Sequence, residues 1–142
     1  MNLSDYIKRR NGVPMGAANS LRNMLYRSLG AGKFSIFWKY WNPIWSYYLG
    51  KYIFKPLKII FPPALSLLIT FIFCGFLHDL VIMLLRRDFT LLLTPWFLFM
   101  GFCVIIGDYA KIDYSNFPWI IRASINILII SCCLFFAYQV KV

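Results

Sequence analysis

IIFPPALSLLITFIFCGFLHDLVIMLL, residues 59 to 85, decides how this chain has to be read. Only His78 and Asp79 interrupt its apolar run, and at about 1.5 Å per residue a helix of this length crosses roughly 30 Å of hydrocarbon. Pro62 and Pro63 suit the first turn of such a helix, where a missing amide hydrogen costs little. Two further stretches match it. Residues 89 to 107 carry no charge, with Pro95 expected to kink them, and a third span is expected at 119 to 140, uncharged from Ala123 onward.

The composition agrees with that reading. Of 142 residues, 61% are hydrophobic, 20% aromatic and only 14% charged, with a mean hydropathy of +0.66. Soluble domains typically run at about 45–50% apolar and about 25% charged, so an ordinary globular protein is excluded, and a chain so rich in Phe, Tyr and Trp is not disordered. The expected fold class is all-α and integral to a membrane: about three transmembrane helices plus an aromatic interfacial or re-entrant helical segment.

The formal charge of +10 is concentrated in the first 58 residues, which hold ten of the fifteen basic residues and a single acid, Asp5. Because this basic half adjoins long apolar runs, its expected partner is a bilayer with anionic headgroups, not nucleic acid. Residues 1 to 33, broken by Gly12, Pro14, Gly16, Gly30 and Gly32, read as a basic interfacial arm with one short amphipathic helix around 19 to 29. Residues 34 to 142 read as the membrane domain.

With three spans, the arm and the 108–118 loop share one side of the membrane, opposite Arg86, Arg87 and Lys141, and the positive-inside rule puts the arm in the cytoplasm. A fourth crossing within 34 to 54 would reverse it. The N-terminus lacks the apolar core of a cleaved signal peptide. Cys74, Cys103, Cys132 and Cys133 all lie in apolar runs and read as small hydrophobes of packed helices.

Residues 34 to 56, FSIFWKYWNPIWSYYLGKYIFKP, place Trp38, Trp41, Trp45, Tyr48 and Tyr52 at steps of three and four, the spacing of one helical face. Lys39, Lys51 and Lys55 make a clean crossing costly, and Trp and Tyr concentrate at headgroup depth, so helices lying in or dipping through the interface are expected. Asn42-Pro43 should break them.

Two residues stand out chemically. His78, the only histidine, sits at membrane depth, where ionisable side chains face a wet cavity or find a partner on another group. Position alone leaves both readings open: a reactive imidazole, or one bonded to a backbone carbonyl. Asp79 points about 100° away around the helix and is expected near Arg86 or Arg87 instead. Cys74 and His78 share a helix face, but nothing nearby completes a ligand set, so neither a metal nor a haem site is expected.

The stretch FWKYWNPIWSYYLGKYIFKPL, residues 37 to 57, resembles the signature region of the membrane-bound O-acyltransferase superfamily. Trp41-Asn42 and Lys55-Pro56 match the Trp-Asn and Lys-Pro steps of its diacylglycerol and sterol branches, and Pro56-Leu57 the Pro-Leu of its alginate and D-alanyl branch. Phe73-Cys74-Gly75-Phe76-Leu77-His78 matches the helix that bears the family's histidine, 36 residues beyond Asn42.

The resemblance implies a tunnel in which an acyl group moves from a thioester, acyl-CoA or an acyl carrier, to a hydroxyl. His78 would be the catalytic base and Asn42 the group that orients the acceptor or binds the oxyanion. Trp38, Trp41, Trp45 and Lys55, with Lys39 and Lys51, would receive the donor, or equally anchor the chain at the interface. No other cofactor is implied. Family enzymes are much longer, so the tunnel is expected to need a second copy of the chain or another membrane subunit. The competing expectation is a non-catalytic integral subunit that docks on a larger membrane complex.

Overall fold

The computed structural model describes residues 1–142 and is all-α, with three quarters of the chain helical and no strands. Two short helices form the arm, α1 (Leu3–Asn11) and α2 (Ser20–Leu29). Two more, α3 (Phe34–Tyr40) and α4 (Pro43–Leu49), carry the aromatic segment, and α4 runs through a π-helical turn, Gly50–Phe54, into α5 (Lys55–Ile60). Three apolar helices follow, α6 (Pro63–Arg86), α7 (Leu93–Tyr109) and α8 (Trp119–Val140). Helix α7 packs between α6 and α8, α3 lies against α7, and α2 lies against α8.

Two of these helices, α6 and α8, are long and apolar enough to cross a membrane, where three were expected; α7 has 17 residues. The expected span at 89 to 107 loses its first turn to a specific interaction. Asp79 of α6 is 1% exposed and accepts hydrogen bonds from the backbone N–H of Leu92, Leu93 and Thr94, at 3.2, 2.9 and 2.6 Å. The Thr94 hydroxyl adds a fourth at 2.7 Å. A carboxylate at a helix N-terminus satisfies amides that have no intrahelical acceptor and sits at the positive end of the helix dipole. Helix α7 therefore starts where α6 supplies that cap. This corrects the expectation that Asp79 sits with Arg86 or Arg87.

Pro95 also departs from expectation. It falls in the first turn of α7, where no amide hydrogen is needed, so no kink is required there. The close crossing of α6 and α7 needs Gly75: a Cβ at this position would lie 2.6 Å from the Leu93 carbonyl oxygen.

The other two long segments follow the sequence more closely. Helix α8 occupies the expected 119 to 140, and α6 starts at Pro63 after an extended Phe61-Pro62 break that assigns Ile59 and Ile60 to α5. Only 22 of the 142 residues are buried, and large apolar side chains remain exposed along both α6 and α8. The buried centre joins Phe34 and Phe37 of α3, Phe71 of α6, Met100 and Val104 of α7, and Cys133 of α8.

The basic arm is stapled to the rest of the chain. Asn126 of α8, fully buried, donates to the carbonyls of Leu29 and Ala31 at 2.8 and 3.0 Å and accepts the Tyr114 hydroxyl at 2.6 Å. The Tyr114 amide in turn donates to the Gly32 carbonyl at 2.8 Å. Trp119 stacks on Tyr26 and donates to its carbonyl at 3.0 Å. The arm and the 108–118 loop thus lie together. Helix α2 matches the amphipathic helix expected near 19 to 29, while α1, capped by the Asn2 side chain and closed by Gly12 at φ +80°, was not foreseen.

Candidate functional site

A cleft of about 980 Å³ opens between the arm, the aromatic segment and the face of α6 that carries Thr70, Cys74 and His78. Its walls include all six residues singled out from the sequence: His78, Asn42, Trp38, Trp41, Trp45 and Lys55. The helical stripe that suggested three of them, Trp38, Trp41 and Trp45, is not continuous. Asn42 adopts the left-handed conformation at φ +41° and Pro43 starts a new helix, so α3 ends and the chain turns. Trp38 packs edge-on to Phe71, Trp45 faces His78, and Tyr48 and Tyr52 remain exposed, stacked on one another.

The break connects the site. Asn42 Oδ1 accepts the Trp45 amide at 3.3 Å and so caps α4. Trp45 then donates its indole N–H to Cys74 Sγ at 3.0 Å and meets the His78 ring edge to face, with centroids 6.0 Å apart. On its other side the imidazole stacks on Phe97 of α7 at 5.3 Å. Aromatic walls on two sides hold the ring plane.

The tautomer of His78 follows from its partner. Nδ1 lies 2.7 Å from the Cys74 carbonyl oxygen, one helical turn back. A carbonyl only accepts, so Nδ1 carries a hydrogen, and Nε2 has no hydrogen-bond partner in the chain. Of the two readings left open by the sequence, the bond to a backbone carbonyl is present, and the second ring nitrogen has no partner in the chain. The carboxamide of Asn42 is divided in the same way, its oxygen engaged in the cap and its Nδ2 left to donate.

Charge in the cleft is one-sided. Arg10, Lys39, Lys51, Lys55 and Lys58 line it against one carboxylate, Asp108, which accepts the Ser35 hydroxyl at 2.7 Å. Three of the lysines were visible as interruptions of the aromatic run. Arg10 was not, because it arrives on α1 from far along the chain, nor was Phe97, an unremarkable aromatic within an apolar helix. The π-helical turn places Lys51 and Phe54 on the cleft wall; such turns are frequent at functional sites. No group of three or more His, Cys, Asp or Glu side chains is arranged to hold a metal ion.

Set against protein-family models, curated proteins and solved structures, the chain matches none. The reading of the site rests on its geometry.

Proposed function

We propose that this chain is a membrane-embedded, acyltransferase-like protein that moves an acyl group from a thioester to a hydroxyl, with His78 as general base. The observation that carries this reading is the free Nε2 of an imidazole whose other nitrogen is fixed by the Cys74 carbonyl, facing a large cleft. In the proposed reaction Nε2 takes the proton of the acceptor hydroxyl as its oxygen attacks the thioester carbonyl carbon. The oxyanion of the tetrahedral intermediate accepts a hydrogen bond from Asn42 Nδ2. Collapse breaks the carbon–sulfur bond, and the proton on His78 passes to the departing thiolate.

Lys39, Lys51 and Lys55, joined by Arg10 and Lys58, supply positive charge for the phosphates of a CoA or carrier-linked donor. Trp38, Trp41 and Trp45 give the donor apolar walls. The membrane setting is supported by the exposure of α6 and α8, whose most apolar stretches are only 28% and 22% buried; the core helix of a soluble protein would be largely covered. Helix α7 is assigned as a third crossing, its 17 residues spanning about 26 Å. With three spans the basic arm lies on the cytoplasmic face. The cleft is open on one side, and a second copy or another membrane subunit is proposed to close it.

The test is release of free thiol and formation of ester from an acyl thioester by the chain reconstituted in anionic vesicles. His78→Ala should lower the rate about 10²–10⁴-fold while the protein still inserts and folds. Unchanged transfer in the variant would remove His78 from the chemistry. If instead the variant altered only the assembly of a larger complex, the chain would be a docking subunit.

A further inference from the structure

A second, smaller cavity of about 200 Å³ lies behind the cleft, between α3, α7 and the 108–118 loop. Ser35 and Asp108, hydrogen-bonded to each other, line both cavities and so form the partition between them. The walls of the smaller one are mostly apolar, with Lys33 and Asp108 at polar positions, and Cys103 of α7 lines it. Cys103 Sγ lies 3.6 Å from Cys133 Sγ of α8. Cys133 is almost fully buried and does not line the cavity, whereas Cys132, the next residue, is exposed on another face of α8.

From this arrangement we propose that Cys103 and Cys133 form a thiol-modification site, a dithiol that reacts through the small cavity with low-molecular-weight disulfides and closes to a cross-link between α7 and α8. The sulfurs are already in van der Waals contact at 3.6 Å on neighbouring helices, so closure asks for movement of about 1.5 Å toward the usual bond length of about 2.05 Å. Cys103 reacts first because, of the two, it alone reaches the cavity. Its thiolate displaces one thiolate from the small disulfide and leaves a mixed disulfide on Cys103. Cys133 then attacks Cys103 Sγ, forms the Cys103–Cys133 bond and expels the second small thiolate. The two protons lost by the cysteines end on the two released thiols, and the small disulfide is the species reduced. Val104, next to Cys103, lines the larger cleft, so the cross-link would fix that wall.

The experiment uses the whole chain in lipid nanodiscs treated with dithiodipyridine, a small neutral disulfide, and reads intact mass and peptide maps. The expected product has lost the mass of two hydrogens and carries a Cys103–Cys133 linked peptide. Cys133→Ser should stop at a mixed disulfide on Cys103, and Cys103→Ser should leave Cys133 unmodified. Separate adducts on Cys103 and Cys133 without a link, a link through Cys132, or modification confined to Cys132 would each overturn the proposal. These readouts do not depend on acyl transfer.

Discussion

Three of the polar side chains set into the long apolar helices, Asp79, Asn126 and His78, divide into two kinds. Asp79 and Asn126 are buried and fully engaged: the carboxylate takes four donors from the start of α7, and the amide matches two carbonyls and a phenol at the junction of arm and loop. His78, adjacent to Asp79 in sequence, lies on the cleft wall with one nitrogen bonded and one free. A polar residue in an apolar helix is expensive wherever it stands. What separates a structural use from a chemical one is whether its bonding capacity is used up. The clamp regions are closed; the cleft is not.

The largest loss of stability should come from Asp79→Ala. It strips the cap from three backbone amides at the buried α6–α7 crossing, and each unsatisfied group costs about 1–3 kcal/mol, so a loss of about 3 kcal/mol or more is expected in a reversible unfolding assay. Asp79→Asn keeps one acceptor and should recover part of it. If Asp79→Ala unfolds like the parent protein, the cap is not what starts α7.

Next comes Asn126→Leu, which leaves the Leu29 and Ala31 carbonyls and the Tyr114 hydroxyl without their partner and should cost about 2 kcal/mol. Hydrogen exchange would localise the effect, with α2 and the Gly30–Gly32 segment opening while α6 and α7 stay protected. Equal loss of protection across all helices would show that the arm folds as one unit with the core.

The contrast between clamps and cleft was only partly legible in the sequence. The apolar runs gave α6 and α8 directly, because length and near-absence of charge suffice to mark a helix long and apolar enough to cross a membrane. Asn42-Pro43 marked the break, because Pro cannot continue the preceding hydrogen-bond ladder. The true position of Asp79 was not readable: its partners are backbone amides thirteen to fifteen residues on, and a backbone group carries no sequence signal. The same holds for Asn126, whose acceptors lie ninety-five and ninety-seven residues away. Site residues from two neighbouring segments were identifiable by residue type, whereas Arg10 joins the cleft only through the arm's docking.

A smaller effect is expected from Tyr114→Phe, which removes one hydrogen bond to Asn126 and should cost about 1 kcal/mol at neutral pH. Burial, together with the nearby Asp113 carboxylate, pushes the Tyr114 hydroxyl up to about 12 from its ordinary value of 10.0. Because the folded state holds this proton more tightly than the unfolded chain does, the contribution is fully present below the ordinary value. It is lost as pH rises from there toward about 12. The parent protein should therefore lose stability across that alkaline window more steeply than Tyr114→Phe; parallel curves would mean that the phenol ionises as freely folded as unfolded.

The smallest change in stability should be that of His78→Gln. The free Nε2 contributes no bond to lose and the Nδ1 bond spans a single turn of its own helix, so the loss is that of the ring's contacts with Trp45 and Phe97, and a shift of about 0.5 kcal/mol is expected. Its effect on the proposed acyl transfer should be among the largest of any substitution, because an amide has no lone pair basic enough to take the proton. This pairing of outcomes separates the two kinds of polar residue more sharply than either alone. Adjacent residues on one helix should then give opposite results: Asp79 decisive for folding, and His78 nearly silent in folding and decisive for chemistry. If His78→Gln cost as much stability as Asp79→Ala, the imidazole would belong with the clamps, and the proposed general base would be a structural residue instead.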